Sequence, residues 1–303
     1  MPPSTQTQNP DFRCGYVALL GAPNAGKSTL LNRLLGQKIA ITSRRPQTTR
    51  NRILGVVQRP SAQIILLDTP GVHKAHNPLN TRIVEAALAA AAEVDLALML
   101  VDAERADPAS EQLLMARLAA SDRPVLLALN KIDRIRKEQV LPLIEAWHAR
   151  HAFTAIVPVS ARHGTQIEVL EAEMVKRLPL GPPLFPEDQL TDQTERTIVA
   201  EMVREKVFRL TGAEIPYSTA VTVESFKEES GRPLVHIHAT VHVERDSQKA
   251  IIIGKGGLKL RQIGETARAD MERLLGSRVF LKLFVRVQKN WTRDAKALER
   301  FGY

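Results

Sequence analysis

Short runs rich in Val, Ile and Leu recur through the first half of the chain, at 16–20, 63–67, 96–101, 125–129 and 155–159. Runs without polar alternation predict strands covered on both faces, and the mixed segments between them predict helices. The pattern is that of an α/β domain, a mainly parallel sheet with helices on both faces. Ile53-Leu54-Gly55-Val56-Val57, just ahead of the run that begins at Gln63, predicts an antiparallel neighbour. Ala86 to Val101 is the most apolar stretch, but Glu93 and Asp95 interrupt it and it is too short to span a bilayer. It reads as a helix end followed by a buried strand.

The pattern changes after Pro179. Pro179, Pro182, Pro183 and Pro186 fall within eight residues, which neither a helix nor a central strand can continue. Glu187 to Asp192 is polar. These residues place a linker at 182–192, between domains at 14–181 and 193–303. Beyond it, Ile198, Val199, Met202, Val203, Val207 and Leu210 recur at helical spacing. Thr219-Val221-Val223 and Val235 to Val243 alternate as strands. Ile251-Ile252-Ile253 leads into Gly254-Lys255-Gly256-Gly257. Leu260, Ile263, Ala267, Met271 and Leu274 form a second helical stripe, and Val279 to Val287 alternates again. The predicted order is helix, strand, strand, helix, GxxG turn, helix, strand. Trp291 to Leu298 reads as a short amphipathic helix, with Trp291 packing against the domain or stacking on a base.

Composition sharpens this picture. The chain has 303 residues, a net charge of +9 and a pI near 9.8, which favours a polyanionic partner. The charge is concentrated: Arg245 to Arg300 holds 14 Lys/Arg against 6 Asp/Glu, and the stretch between Asp11 and Asp68 holds 9 Lys/Arg and no acid. Cys14 is the only cysteine, which leaves no disulfide framework or cysteine metal site and fits a reducing, cytoplasmic setting. Residues 1–10 are polar and Pro-rich with no apolar signal segment, which predicts a disordered stretch.

Candidate chemistry lies where strands of such a sheet end. After Leu20 comes Gly21-Ala22-Pro23-Asn24-Ala25-Gly26-Lys27-Ser28-Thr29, a glycine-rich turn between a strand and a helix. Glycines there let backbone N–H groups approach an anion, and the helix N-terminus favours negative charge. Lys27 would reach the β- and γ-phosphates, and Ser28 would offer its hydroxyl to Mg²⁺. After Leu67 comes Asp68-Thr69-Pro70-Gly71, where a carboxylate can hold Mg²⁺ through water and a glycine N–H can meet a γ-phosphate. After Leu129 comes Asn130-Lys131-Ile132-Asp133, whose carboxylate suits guanine N1–H and its 2-amino group. After Val159 comes Ser160-Ala161, with a backbone N–H for guanine O6. Each motif alone is weak; all four in order are not.

In these motifs the chain resembles the translation-factor-related GTPases over about residues 14–180. The resemblance implies a GTP hydrolase using GTP/GDP and Mg²⁺. It implies that Asp133 gives guanine specificity, Asn130 braces the phosphate loop and Lys131 lies along the base. Residues 44–50 would form a mobile loop in which Thr48 or Thr49, with Thr49 favoured, joins Ser28 and Asp68 at Mg²⁺. Val72 stands where Ras-like relatives carry a water-positioning Gln, which implies slow turnover by the chain alone. His73 beside it is a substitute base or a solvent-exposed loop residue. Asn24 matches an Asn that helps bind K⁺ in some relatives, and bracing of the loop explains it equally well.

The element order around Gly254-Lys255-Gly256-Gly257 resembles an α+β type-II KH domain over about residues 205–290. Such a turn clamps single-stranded nucleic acid, with Lys255, Lys259 and Arg261 adding charge. His236, His238 and His242 share one strand face, read as a polar, solvent-facing surface rather than a metal site.

A P-loop GTPase domain followed by a type-II KH domain is similar to the Era GTPases over nearly the whole chain. That resemblance implies a monomeric factor for 30S ribosomal subunit assembly. It would grip the 3′ end of small-subunit ribosomal RNA and associate peripherally with the inner membrane. The rival readings are an RNA-binding module with a structural nucleotide site and a GTPase that modifies tRNA.

Overall fold

The computed structural model describes residues 10–43, 52–71, 94–212 and 215–301. Thr48, Thr49, Val72 and His73, residues 1–9 and the helix end at 86–93 lie outside the described residues. The chain divides into two compact units, Met1–Gln37 with Thr49–Asp192, and Lys38–Thr48 with Gln193–Tyr303.

The first unit is built on six strands: β1 (Arg13–Gly21), β2 (Ile53–Arg59), β3 (Ala62–Asp68), β4 (Leu96–Asp102), β5 (Val125–Asn130) and β6 (Ala155–Val159). Their order is β2-β3-β1-β4-β5-β6. β2 is antiparallel to β3, and every other pair is parallel. The uniformly apolar runs explain this arrangement, because Leu19, Leu20, Ile64, Leu66, Leu98 and Leu127 are all fully buried. The register sets Leu19 beside Asp68 and Asn130 beside both Asp102 and Val159, so the strand ends that carry the motifs share one edge. β1 lies between β3 and β4, where the chain turns from one side of the sheet to the other, the topological switch where ligands bind in such sheets. Among the described residues the unit's α-helices are α1 (Lys27–Leu35), α2 (Pro108–Ala119), α3 (Val140–His148) and α4 (Ile167–Val175). Asp107 caps α2 by accepting from the Ser110 amide at 3.1 Å, with Pro108 at the first position.

The Pro-rich stretch after Pro179 is fastened to this unit. Gln63 is fully buried in β3. Its Oε1 accepts from the Leu184 and Phe185 amides at 2.7 and 3.0 Å, and its Nε2 donates to Phe185 O at 2.8 Å. The Val56 amide donates to Leu190 O at 2.8 Å, and Thr191 Oγ1 to Leu54 O at 2.5 Å.

The second unit contains α5 (Glu195–Leu210), β7 (Ala220–Glu228), β8 (Leu234–Val243), α6 (Asp246–Ile253), α7 (Leu258–Leu275), β9 (Arg278–Val287) and α8 (Ala295–Arg300). The sheet order is β7-β8-β9, with β8 antiparallel to β7 and parallel to β9. Val235, Ile237, Ala239, Val241 and Val243 bury one face of β8, and Val199, Val203, Ile252, Ile263, Ala267 and Met271 are buried from the helices. His242 departs from the solvent-facing reading of the opposite face. It is buried, with Nε2 2.9 Å from Thr222 Oγ1 and its ring 4.7 Å from that of Phe301. The reason is the C-terminal helix: Trp291, Ala297 and Phe301 cluster with Ala220 and cover that end of the sheet. Trp291 itself is buried and donates from Nε1 to Ser218 O at 3.1 Å, so it offers no ring to a base.

Lys38–Thr48 lies inside the span 14–181 expected for the first domain yet groups with the second unit. Ile39, Ala40 and Ile41 are buried. Lys38 Nζ donates to Glu205 Oε2 at 2.5 Å and Asp270 Oδ2 at 2.6 Å. The Thr42 amide donates to Glu205 Oε1 at 3.0 Å, and Arg209 donates to Thr42 O at 3.0 Å.

Candidate nucleotide site and RNA-binding turn

The turn after β1 has left-handed backbone at Asn24 (φ 65) and Gly26 (φ 108). Alternation of this kind points successive N–H groups into one concavity, where an anion fits. A Cβ on Gly26 would lie 2.1 Å from Asn130 Nδ2, so only glycine is accommodated. Gly26 also caps α1, whose first residues are Lys27, Ser28 and Thr29. Lys27 is buried and donates from Nζ to Gly21 O and Ala22 O, both at 3.0 Å. Burial pushes its ammonium down to about 8, against the pull of the Asp68 carboxylate.

Asp68 is fully buried at the end of β3, and Ser28 Oγ donates to its Oδ2 at 2.7 Å. A hydroxyl and a carboxylate side by side are the hard oxygen donors that Mg²⁺ takes. Thr69 Oγ1 donates to Leu19 O at 2.8 Å, which ties the next turn to β1. A Cβ on Gly71 would lie 2.7 Å from Pro23 Cα, so glycine permits the close approach of this turn to the phosphate loop.

The base-side motifs meet the same loop through Asn130. Its Nδ2 donates to Ala25 O at 2.7 Å and its Oδ1 accepts from the Ala161 amide at 3.0 Å. That engages the Ala161 amide within the protein. Asp133 accepts from Ser160 Oγ at 2.6 Å and has His163 Nε2 at 3.7 Å. Burial raises its carboxyl, but the Ser160 hydrogen bond, its own backbone amide, His163 and Arg134 outweigh it and hold the group below the usual range. Lys131 is left-handed (φ 67) and pairs with Asp102 at the end of β4. Sequence reading missed Asp102; its position at a strand end beside Asn130 was the available signal.

In the second unit, the GxxG residues form a compact turn between α6 and α7. Gly254, Gly256 and Gly257 have φ of 70, 57 and 78. A Cβ on Gly254 would lie 2.8 Å from Lys259 Cβ. Gly257 caps α7, whose N-terminal N–H groups open onto the turn. Lys255 and Arg261 are exposed, Lys259 is half-buried, and the apolar side chains of Ile251 and Leu258 flank the turn in solvent.

The family described as 50S ribosome-binding GTPase matches residues 16–131, and the KH domain family matches residues 214–292. A GTPase Era of Geobacter metallireducens is 52% identical over 297 residues, covering 98% of this chain and 99% of that protein. The chain belongs to the Era family of GTPases. GTPase Era of Lacticaseibacillus paracasei is 47% identical over 293 residues, covering 97% of both chains. The crystal structure of an Aquifex aeolicus Era variant bound to GDP and AlF₄⁻ superposes with a TM-score of 0.91 at 42% identity, covering 96% of this chain and 99% of that one. An Era complex with MgGDPNP and nucleotides 1506–1542 of 16S ribosomal RNA gives the same score, identity and coverage. An Era GTPase hydrolyses GTP to GDP and phosphate with Mg²⁺, and the Ser28–Asp68 pair and the loop before α1 are chemically suited to both.

Proposed function

We propose that this Era-family GTPase is a nucleotide-governed RNA-binding switch acting in 30S subunit assembly and maturation. Residues 14–181 form the nucleotide-binding domain, 182–192 the linker and 193–303 the RNA-binding domain. The backbone of Gly21, Pro23, Asn24, Ala25, Gly26, Lys27, Ser28 and Thr29 holds the phosphates, with the Lys27 ammonium on the β- and γ-oxygens. Ser28, Asp68 and Thr49 hold Mg²⁺, which when bound neutralises charge on those oxygens; Asn24 is placed to help hold K⁺. Gly71 meets the γ-phosphate, with Thr48 and Val72 in the loops that respond to it. Asp133, backed by Ser160, reads guanine; Lys131 flanks the base and Ala161 steadies Asn130. The observation that carries the nucleotide site is the double bond-making of Asn130, which ties the phosphate loop and the base loop together.

At the other grip, Gly254, Lys255, Gly256 and Gly257 clamp single-stranded ribonucleotide backbone, with Lys259 and Arg261 adding charge. The Era complex with nucleotides 1506–1542 of 16S ribosomal RNA supports the 3′ end of small-subunit RNA as its target. The two grips are linked along the chain: Thr48 and Thr49 follow Thr42, which Glu205 and Arg209 hold, by six and seven residues. GTP drawing Thr49 to Mg²⁺ pulls on that anchor, and hydrolysis releases it. The protein acts as a monomer in the cytoplasm. Peripheral association with the inner membrane is proposed on family resemblance; no helix among the described residues is long and apolar enough to cross a membrane.

Multiple-turnover phosphate release tests the switch. Slow release by the protein alone in Mg²⁺ and K⁺, above buffer, is expected; none, with or without 30S subunits, would assign the nucleotide a structural role. Asp133→Asn should move preference from guanine to xanthine nucleotides, and unchanged preference would remove Asp133 as the base reader.

A further inference from the structure

The outer face of β9 carries a pattern that the GxxG turn does not explain. Arg278, Phe280, Lys282, Phe284 and Arg286 alternate with Val279, Leu281, Leu283, Val285 and Val287, so cations and aromatic rings share the face away from the helices. Phe280 is 52% exposed and Phe284 45%. Two large rings left in solvent on an edge strand are unusual in a core-forming sheet. Their neighbours add to the pattern. Lys282 Nζ lies 5.3 Å from the Phe284 ring centre, and the His236 ring lies 5.4 Å from that of Phe280. Lys227 stands across from His236 on β7. The acids at this face, Glu229 and Glu224, lie at its β7 margin, on His236 and Thr222 respectively. The C-terminal helix covers only the His242 end and leaves the Phe280–Phe284 end open.

We propose that this face is a second RNA-binding surface, on which unpaired bases stack against Phe280 and Phe284 while Arg278, Lys282 and Arg286 meet the phosphates. The inference rests on the reading of this domain as an RNA binder and extends it to the opposite side of the sheet. Charge decides the occupant. A second copy of the chain would set the same cations against each other, whereas a polyanion satisfies them. The rings decide its form, because every base has a face that stacks on an aromatic side chain. Four residues of strand separate the rings by about 13 Å, too far for two adjacent bases stacked at about 3.4 Å. Each ring therefore takes its own base, with Lys282 between them. Because β9 is an edge strand, an RNA long enough to pass its edge reaches both the GxxG turn and the outer face.

The test uses the full chain with Mg²⁺ and a non-hydrolysable GTP analogue. Binding is measured to two RNAs: a single-stranded hexamer from the 3′ end of 16S ribosomal RNA, and the segment 1506–1542. Phe280→Ala with Phe284→Ala should weaken the long RNA by about tenfold per ring and leave the hexamer within about twofold. Phe280→Tyr with Phe284→Trp should restore the long RNA. Arg278→Gln, Lys282→Gln and Arg286→Gln together should reduce the slope of log affinity against log salt by about 2 for the long RNA. Unchanged affinity for the long RNA in the alanine variant overturns the proposal. So does equal weakening of both RNAs, or loss of a concentration-dependent dimer with RNA binding intact. Failure of the wild type to bind either RNA would instead remove the RNA-binding reading on which the proposal stands.

Discussion

Glu205→Ala is the perturbation that probes the anchor of residues 38–42. Glu205 is fully buried, and its two oxygens serve Lys38, Lys206, Arg209 and both polar groups of Thr42. Burial raises its carboxyl, but Lys38, the Thr42 amide and Lys206 outweigh burial and hold it below the usual value of 4.5. A depressed carboxylate contributes its stability above the unfolded value and loses it as pH falls through the folded one, so the whole effect is present at pH 7. Truncation leaves Lys206, almost fully buried, with Asp270 as its remaining anionic partner. Breaking a buried ion pair from one side costs about 3–5 kcal/mol. Lys38 is 30% exposed and Arg209 47%, so solvent takes part of the burden and the low end, about 3 kcal/mol, is expected. With a urea dependence of about 1.5–2 kcal/mol per molar, the midpoint should fall by about 1.5–2 M. Trp291 reports this unit by fluorescence once Trp147 of the first unit is replaced by Phe. Pairing Glu205→Ala with Lys38→Met should give a coupling of at least about 1 kcal/mol. A midpoint shift under about 0.3 M, or additive single effects, would refute the anchoring argument.

Four further outcomes are expected. Gly26→Ala places a Cβ on Asn130 and displaces both of its bonds; GDP affinity measured by calorimetry should fall at least about a hundredfold. Nucleotide binding at pH 8 should take up about half a proton, because a phosphate raises the Lys27 ammonium from about 8; calorimetry in two buffers of different ionisation enthalpy reads it, and zero uptake would contradict the buried-ammonium argument. Gln63→Leu leaves the Leu184 and Phe185 amides without their acceptor and should destabilise the first unit by about 3 kcal/mol in urea titration followed by Trp147. Burial pushes His242 down from 6.5 to about 4, with Arg300 and Arg286 adding to the effect and Glu224 opposing it. Stability of the second unit should therefore be complete above about pH 6.5 and fall by up to about 3 kcal/mol as pH drops to 4; His242→Gln should flatten that profile.

The Val/Ile/Leu-rich runs made β1, β3, β4, β5 and β6 legible, because only strands covered on both faces need no polar alternation. The short run at Ile53 was legible as an antiparallel neighbour for the same reason, combined with its short connection. The strand-end motifs exposed the nucleotide site because their chemistry is local in sequence. What escaped was long-range. Glu205 looks like one more charge on a helix until the fold brings Lys38 to it from 167 positions away. His242 reads as solvent-facing by period-two alternation, and only the returning C-terminal helix buries it. Gln63 opens an apolar run, and nothing in the sequence announces that its amide is the clasp for residues 184–185.

The central claim is that one anion grip governs the other. Its most direct test is the affinity of the protein for nucleotides 1506–1542 of 16S ribosomal RNA in Mg²⁺ and near-physiological salt, with GDP and with a non-hydrolysable GTP analogue. A difference of at least about fivefold between the two nucleotides, the lower bound of an ordinary coupling free energy, that collapses in Glu205→Ala is the predicted result. Equal affinities in the wild type would contradict it.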